Sequence, residues 1–175
     1  METLKVPVSP HDHAQGPLNA SLTLVQYGDY ECPYCGMAYP IVKQVQRHFG
    51  AKLRFVFRNF PIPEAHPHAL SAAQVAEFAA VHAKFWQMHD LLYENQGDLG
   101  MELYLALAEK LELSVAAMQD ALEQGSCSQR IEADVLGGER SGVSGTPTFF
   151  INGKRHDASF QYDVLVTALS RAIQN

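Results

Sequence analysis

Apolar and polar positions along this chain switch between a period of two and a period near four, and the switches mark its elements. Leu22-Thr23-Leu24-Val25-Gln26-Tyr27 is bulky and β-branched, the signature of a buried strand. From Pro33 to Phe49 the apolar positions Met37, Ile41, Val42, Val45 and Phe49 recur at helical spacing. Lys52 to Arg58 then alternates, polar at 52, 54 and 58 and apolar at 53, 55 and 57, with Val56 the exception. That spacing predicts a half-buried strand. Strand, helix and strand in this order make a βαβ unit with a crossover connection.

Residues 1–20 carry Pro7, Pro10, Gly16 and Pro17 and read as an extended lead-in, with a short edge strand from Leu4 to Val8. Prolines 61, 63 and 67 forbid continued sheet or helix between Asn59 and His68, which is therefore a loop. A helical region follows: Ala69 to Val81, Phe85 to Tyr93, Met101 to Leu111, and a segment capped by Ser114 and running to Leu122. Ser126-Cys127-Ser128-Gln129 matches a capping box ahead of Ile131 and Val135. Sheet character returns at Thr146 to Ile151. Asn152-Gly153 is a strong hairpin signal, a type I′ turn into Lys154 to His156. Leu165, Leu169 and Ile173 mark a closing helix. The order is β-α-β, a block of helices, then β-β-α.

Bulk properties narrow the function classes. The 175 residues suit one domain that buries roughly two-thirds of its surface. A net charge of −6 without a basic patch argues against nucleic acid or an anionic membrane as partner. No apolar run reaches the length of a membrane span. Met1-Glu2-Thr3-Leu4-Lys5 lacks the basic start and apolar stretch of a secretory leader, so the chain is expected to be cytoplasmic. Three cysteines in a reducing compartment point to catalysis, metal binding or burial rather than a disulfide framework.

The chemistry concentrates at Glu31-Cys32-Pro33-Tyr34-Cys35-Gly36. Cys32 falls at the start of the first helix, with Pro33 at the first helical position, where a missing N–H is tolerated. Unpaired amides and the helix dipole favour an anion there, which lowers the pKa of the first thiol. Cys35, one turn on, lies on the same side and can resolve a mixed disulfide at Cys32. Two readings compete with a redox dithiol. A structural zinc site needs four ligands, and His66 and His68 would complete one only by tertiary placement. The other is a redox-inert interaction module. Cys127 reads as a packed or capping-region thiol. Trp86, His89 and Asp90 read as helix packing, with the histidine and aspartate as an alternative far wall of the site. Glu31 is a solvated charge or, facing the thiolate, one that raises its pKa. Gly137-Gly138 should cost a helix about 1 kcal/mol each, and signals a kink or a helix end.

The element order, the Cys-x-x-Cys and Gly145-Thr146-Pro147-Thr148 before the third main strand resemble the thioredoxin fold, and the helical block resembles its DsbA-like branch. More narrowly, Gly28-Asp29-Tyr30-Glu31-Cys32-Pro33-Tyr34-Cys35, Phe85-Trp86 with Met88-His89-Asp90, and Gly142 to Gly153 resemble the bacterial FrnE-like group. The likeness runs from about Asp12 to the C-terminus. It implies an α/β, thioredoxin-like fold with an all-helical insertion, as a single domain over 1–175. The core would occupy about 20–60 and 143–175, the insert about 64–141. It implies a thiol–disulfide oxidoreductase or isomerase with Cys32, Cys35 and a cis Pro147 as catalytic residues. Pro33, Tyr34 and Thr146 would contact substrate, with Thr146 pairing an extended segment strand-like. Partners would be protein or peptide thiols and disulfides, or glutathione. No metal or organic cofactor is implied beyond the Cys32–Cys35 disulfide. One departure stands out: Gln26 occupies the position where the fold commonly carries a buried acid serving the second cysteine. Pro33-Tyr34 is also the glutaredoxin pairing, which leaves the direction of electron flow open.

Overall fold

In the computed structural model, which describes residues 2–174, five strands form one mixed sheet. Met1 and Asn175, the two ends of the expected single domain, lie outside the described residues. The sheet order is β1 (His13–Gln15), β3 (Leu53–Asn59), β2 (Leu22–Gly28), β4 (Thr148–Ile151), β5 (Lys154–His156). β2 and β3 run parallel, with Leu22 opposite Leu53 and Gly28 opposite Asn59. The other three pairings are antiparallel. Helix α1 (Pro33–Phe49) joins β2 to β3, and α7 (Tyr162–Ile173) follows β5. Between β3 and β4 lie α2 (Ala69–Val81), α3 (Phe85–Glu94), α4 (Met101–Lys110), α5 (Val115–Gln124) and α6 (Ser128–Arg140). A thioredoxin-like sheet with an all-helical insertion is the DsbA-like architecture.

The strands alternate between two cores. Leu24, Phe55 and Phe57 point into the larger one, with Val42 and Val45 of α1, Leu165 and Leu169 of α7, and much of the insert. Val25, Tyr27, Val56, Phe60, Val143 and Phe150 form the smaller one on the opposite face. Val56 breaks the expected alternation of β3 because the second face of the sheet is covered too.

That cover corrects the half-buried reading of β3. Arg58 is buried, and each of its five N–H groups finds an acceptor: Asp12 twice at 2.8 and 3.1 Å, the Tyr27 hydroxyl at 3.0 Å, and the carbonyls of Val6 and Pro7. The lead-in wraps this face to supply them, and burial of a charge is tolerable only with such complete pairing. The edge strand expected from Leu4 to Val8 is absent. The edge strand is instead His13–Gln15, while Thr3 makes an isolated bridge to Lys154.

Local chemistry elsewhere follows the sequence in part. Ser114 Oγ accepts from the Ala117 amide at 3.1 Å and caps α5. Asn152 and Gly153 both take positive φ, as a type I′ turn requires. The capping box at 126–129 does not form: Cys127 is the N-cap of α6, with no side-chain cap bond. Gly137 and Gly138 sit within α6, which continues through them to Arg140. A Cβ on Gly138 would come within 2.9 Å of the Phe60 ring and 3.0 Å of Tyr27. The glycines let α6 approach the small core.

Candidate active site

β2 ends at Gly28, and the chain turns through Asp29-Tyr30-Glu31 into α1. Cys32 is the helix N-cap, with extended backbone, and Pro33 opens the helix. The turn is held by Asp29, whose buried carboxylate accepts from the amides of Glu31 (2.8 Å) and Cys32 (3.2 Å). Gln96, just past α3, donates to the carbonyls of Tyr30 (2.8 Å) and Cys32 (2.9 Å). Gly36 makes room for it, since a Cβ there would lie 2.2 Å from Gln96 Oε1.

Both active-turn thiols are free. Cys32 Sγ lies 3.4 Å from the Thr146 carbonyl, across the sheet end. The Thr146–Pro147 bond is cis. The Cys32 thiol is drawn down to about 5. The Cys35 thiol hydrogen-bonds to it, which outweighs the opposing effect of burial; the Thr146 hydroxyl and the amides of Cys35 and Tyr34 help. Cys35 is displaced the other way, well above the ordinary thiol range, by burial, by its bond to Cys32 and by the Cys32 charge. The Asp29 amide donates to its sulfur at 3.5 Å. One thiolate and one protonated thiol, side by side, suit nucleophilic attack followed by resolution.

The two histidines weighed as zinc ligands have other partners. His66 Nδ1 meets Asp29 Oδ2 at 2.8 Å, and His68 Nδ1 meets Glu31 Oε1 at 3.0 Å. The carboxylate on either side of Tyr30 is thus pinned to the proline loop by an imidazole. Among the described residues no group of three His, Cys, Asp or Glu side chains is placed to hold a metal ion. Glu31 is therefore paired rather than simply solvated.

Gln26 is buried, and its Nε2 has no hydrogen-bond partner. His89 is buried below the site, bonded to the Tyr30 hydroxyl at 2.9 Å, and Trp86 packs on Phe55 and Phe85. Cys127 packs against the large core, where burial raises its thiol pKa. Pro33 and Tyr34 project outward, Tyr34 being 62% exposed beside the thiolate.

The structure brings together Cys32, Cys35 and the Thr146–Pro147 segment singled out from the sequence, and adds Asp29, Gln96 and the pairing of His66 and His68, which the sequence did not single out for the turn. Asp29 left a readable signal, since an Asp two and three residues ahead of amides at a helix start favours this turn. Gln96 left none, because its reach to Cys32 depends on how the insert docks.

Comparison with known proteins gives the chain its relatives. A family model described as thioredoxin matches residues 8–171. The Na(+)/H(+) antiporter NhaA 1 of Salinispora arenicola is 44% identical over 170 residues, which are 97% of this chain and 26% of that protein. The chain thus spans about a quarter of the length of that curated relative. BdbD from Bacillus subtilis, in its oxidised crystal structure, shares the fold with a TM-score of 0.89 at 22% identity, covering 99% of both chains. A periplasmic thioredoxin-like protein from Salmonella enterica serovar Typhimurium matches with a TM-score of 0.78 at 18% identity, over 95% of this chain and 92% of that one.

The cytoplasmic assignment is corrected by these relatives. The fold is shared with a protein described as periplasmic. That expectation rests on the first five residues, and the reading of the cysteines follows from it. The first five residues of a chain that matches a quarter of a longer relative do not decide its compartment. Three cysteines, two of them a dithiol, suit an oxidising compartment equally well. No described helix is long and apolar enough to cross a membrane.

Proposed function

We propose that this chain, which belongs to the thioredoxin family, is a thiol–disulfide oxidoreductase that works through Cys32 and Cys35 on thiols and disulfides of proteins, peptides or glutathione. The observation that carries the reading is the split between the two thiols: Cys32 is drawn down to about 5, and Cys35 is held protonated beside it.

In the reducing direction, the Cys32 thiolate attacks one sulfur of a substrate disulfide and the other sulfur leaves as a thiolate. Cys35 gives its proton to solvent or to that leaving thiolate. It then attacks Cys32 Sγ, closes the Cys32–Cys35 disulfide and releases the second substrate sulfur. Two electrons pass from the dithiol to the substrate, and oxidation runs the same steps backwards. In that direction Cys32 is the leaving group, and a thiol of low pKa leaves readily. A stabilised thiolate also stabilises the reduced protein, so we assign the chain to the oxidising or isomerising side of the family.

Tyr34, Pro33 and the backbone of Thr146 frame the exposed edge of Cys32 and are its proposed substrate contacts, with Pro147 fixing the Thr146 carbonyl. The motif likeness to the FrnE-like group belongs to this reading as well.

The test is a trapping experiment. Cys35→Ser should accumulate a mixed disulfide with glutathione or a cysteine peptide, and Cys32→Ser should form none and lose activity in refolding a scrambled protein. Full refolding activity in Cys32→Ser would overturn the assignment.

A further inference from the structure

Helix α6 and the loop after β3 line a groove of about 840 Å³. Helix α6 faces it with Ser128, Ile131, Glu132, Val135, Leu136 and Glu139. These positions advance by three, one, three, one and three, a single stripe of a helix. The opposite wall is the proline loop, with Ile62 and Glu64, and Leu70 stands at the start of α2. Leu136 is 52% and Leu70 40% exposed, so two large apolar side chains line it without cover.

The groove has one sign of charge. Glu64, Glu132 and Glu139 line it, all exposed, and no Lys, Arg or His is among its lining residues. Two of its walls lead to residues that hold the reactive cysteine. Val143 and Ser144 of its wall lead within two residues to Thr146, whose carbonyl touches Cys32 Sγ. The Ile62 amide donates at 2.9 Å to Asp29, the carboxylate that holds the Cys32 turn.

We propose that this groove selects the substrate: it takes an extended segment of a protein or peptide that carries apolar side chains and at least two Lys or Arg residues near the reacting cysteine. The proposal rests on the oxidoreductase reading of Cys32. Apolar side chains fill the floor between Ile62, Val135 and Leu136, and cations pair with the glutamates along the helix. Glu132 and Glu139 are two turns apart, about 10 Å along the helix axis. That distance matches three residues of a segment extended as polyproline II, about 9 Å, in which side chains i and i+3 share a face, so cations at those positions fit best. Exposed pairs of this kind steer and discriminate more than they tighten.

The test compares kcat/KM for two cysteine peptides in disulfide form that share apolar residues and differ only in Lys or Glu at positions i and i+3. Wild-type protein should prefer the Lys peptide by about five- to tenfold at low salt, with the preference shrinking in 0.5 M salt. Glu132→Lys/Glu139→Lys should invert the ratio between the peptides. Equal use of both peptides by the wild type, or an unchanged ratio in the double variant, would overturn the groove. Exchange of the wild type with oxidised glutathione is run alongside. Reaction there without a peptide preference refutes the groove alone, whereas no reaction there refutes the oxidoreductase reading on which it rests.

Discussion

Asp29 and His66 meet at 2.8 Å and join the turn that carries Cys32 to the proline loop that follows β3. The same carboxylate also accepts from the amides of Glu31, Cys32 and Ile62. A buried carboxylate is thereby fully engaged, and the position of the nucleophile is fixed from two segments more than thirty residues apart.

This pair should tune the thiolate. Burial pulls the His66 imidazole down, but the Asp29 hydrogen bond and charge, with the charges of Cys32 and Glu31, raise it above its ordinary value. A raised histidine contributes fully below pH 6.5 and loses its contribution as pH rises through its folded pKa. His66→Gln keeps a donor for Asp29 without the charge. It should raise the Cys32 pKa by roughly half a unit and remove a second inflection above pH 6.5 from the alkylation profile. Iodoacetamide kinetics between pH 4 and 9 check this, and identical profiles in the two proteins would contradict it.

Redox state should couple to stability with a definite sign. The Cys32 pKa falls from 9.0 to about 5 on folding. The stabilisation of the reduced protein from this source is complete above about pH 9, declines as pH falls, and is gone below about 5. The oxidised protein has no thiolate and lacks it. The reduced form should therefore gain stability over the oxidised form between pH 5 and 9, by at most about 1.4 kcal/mol per pH unit for one proton. Urea melts of both forms at pH 5 and 7.5 measure the change, and parallel shifts would contradict it.

Packing at α6 should tolerate no added methyl group. Gly138→Ala gains up to about 1 kcal/mol of helix propensity but sets a Cβ within 3.0 Å of Phe60 and Tyr27. The net loss should be about 1–3 kcal/mol, since overpacking a filled core forces side chains off their rotamers. Chemical denaturation of the variant tests this. A stabilised protein would show that the two rings move aside.

The sequence carried the frame of this molecule further than its details. The runs at Leu22–Tyr27 and Pro33–Phe49, the five helical segments and Asn152-Gly153 each declare their element through local periodicity or turn chemistry. Burial of Arg58 was not legible, because its five acceptors come from residues 6, 7, 12 and 27, and a strand pattern records only which positions are polar. Gly137-Gly138 was readable as an anomaly, but its cause, the approach to Tyr27 and Phe60, is tertiary. The same holds at the site. Cys32 and Cys35 are set by spacing on one helix, whereas Gln96 and His66 reach the turn only once the insert has folded over it.

The central claim is that Cys32 is a stabilised thiolate in a working redox couple, and one equilibrium measures it. The protein is brought to equilibrium with glutathione buffers of graded ratio, and its free thiols are labelled and counted. With Cys32 near 5, between a thioredoxin thiol near 7 and a DsbA thiol near 3.5, the potential should fall between about −230 and −150 mV. A couple at about −270 mV or below, or cysteines that never exchange with glutathione, would contradict the account.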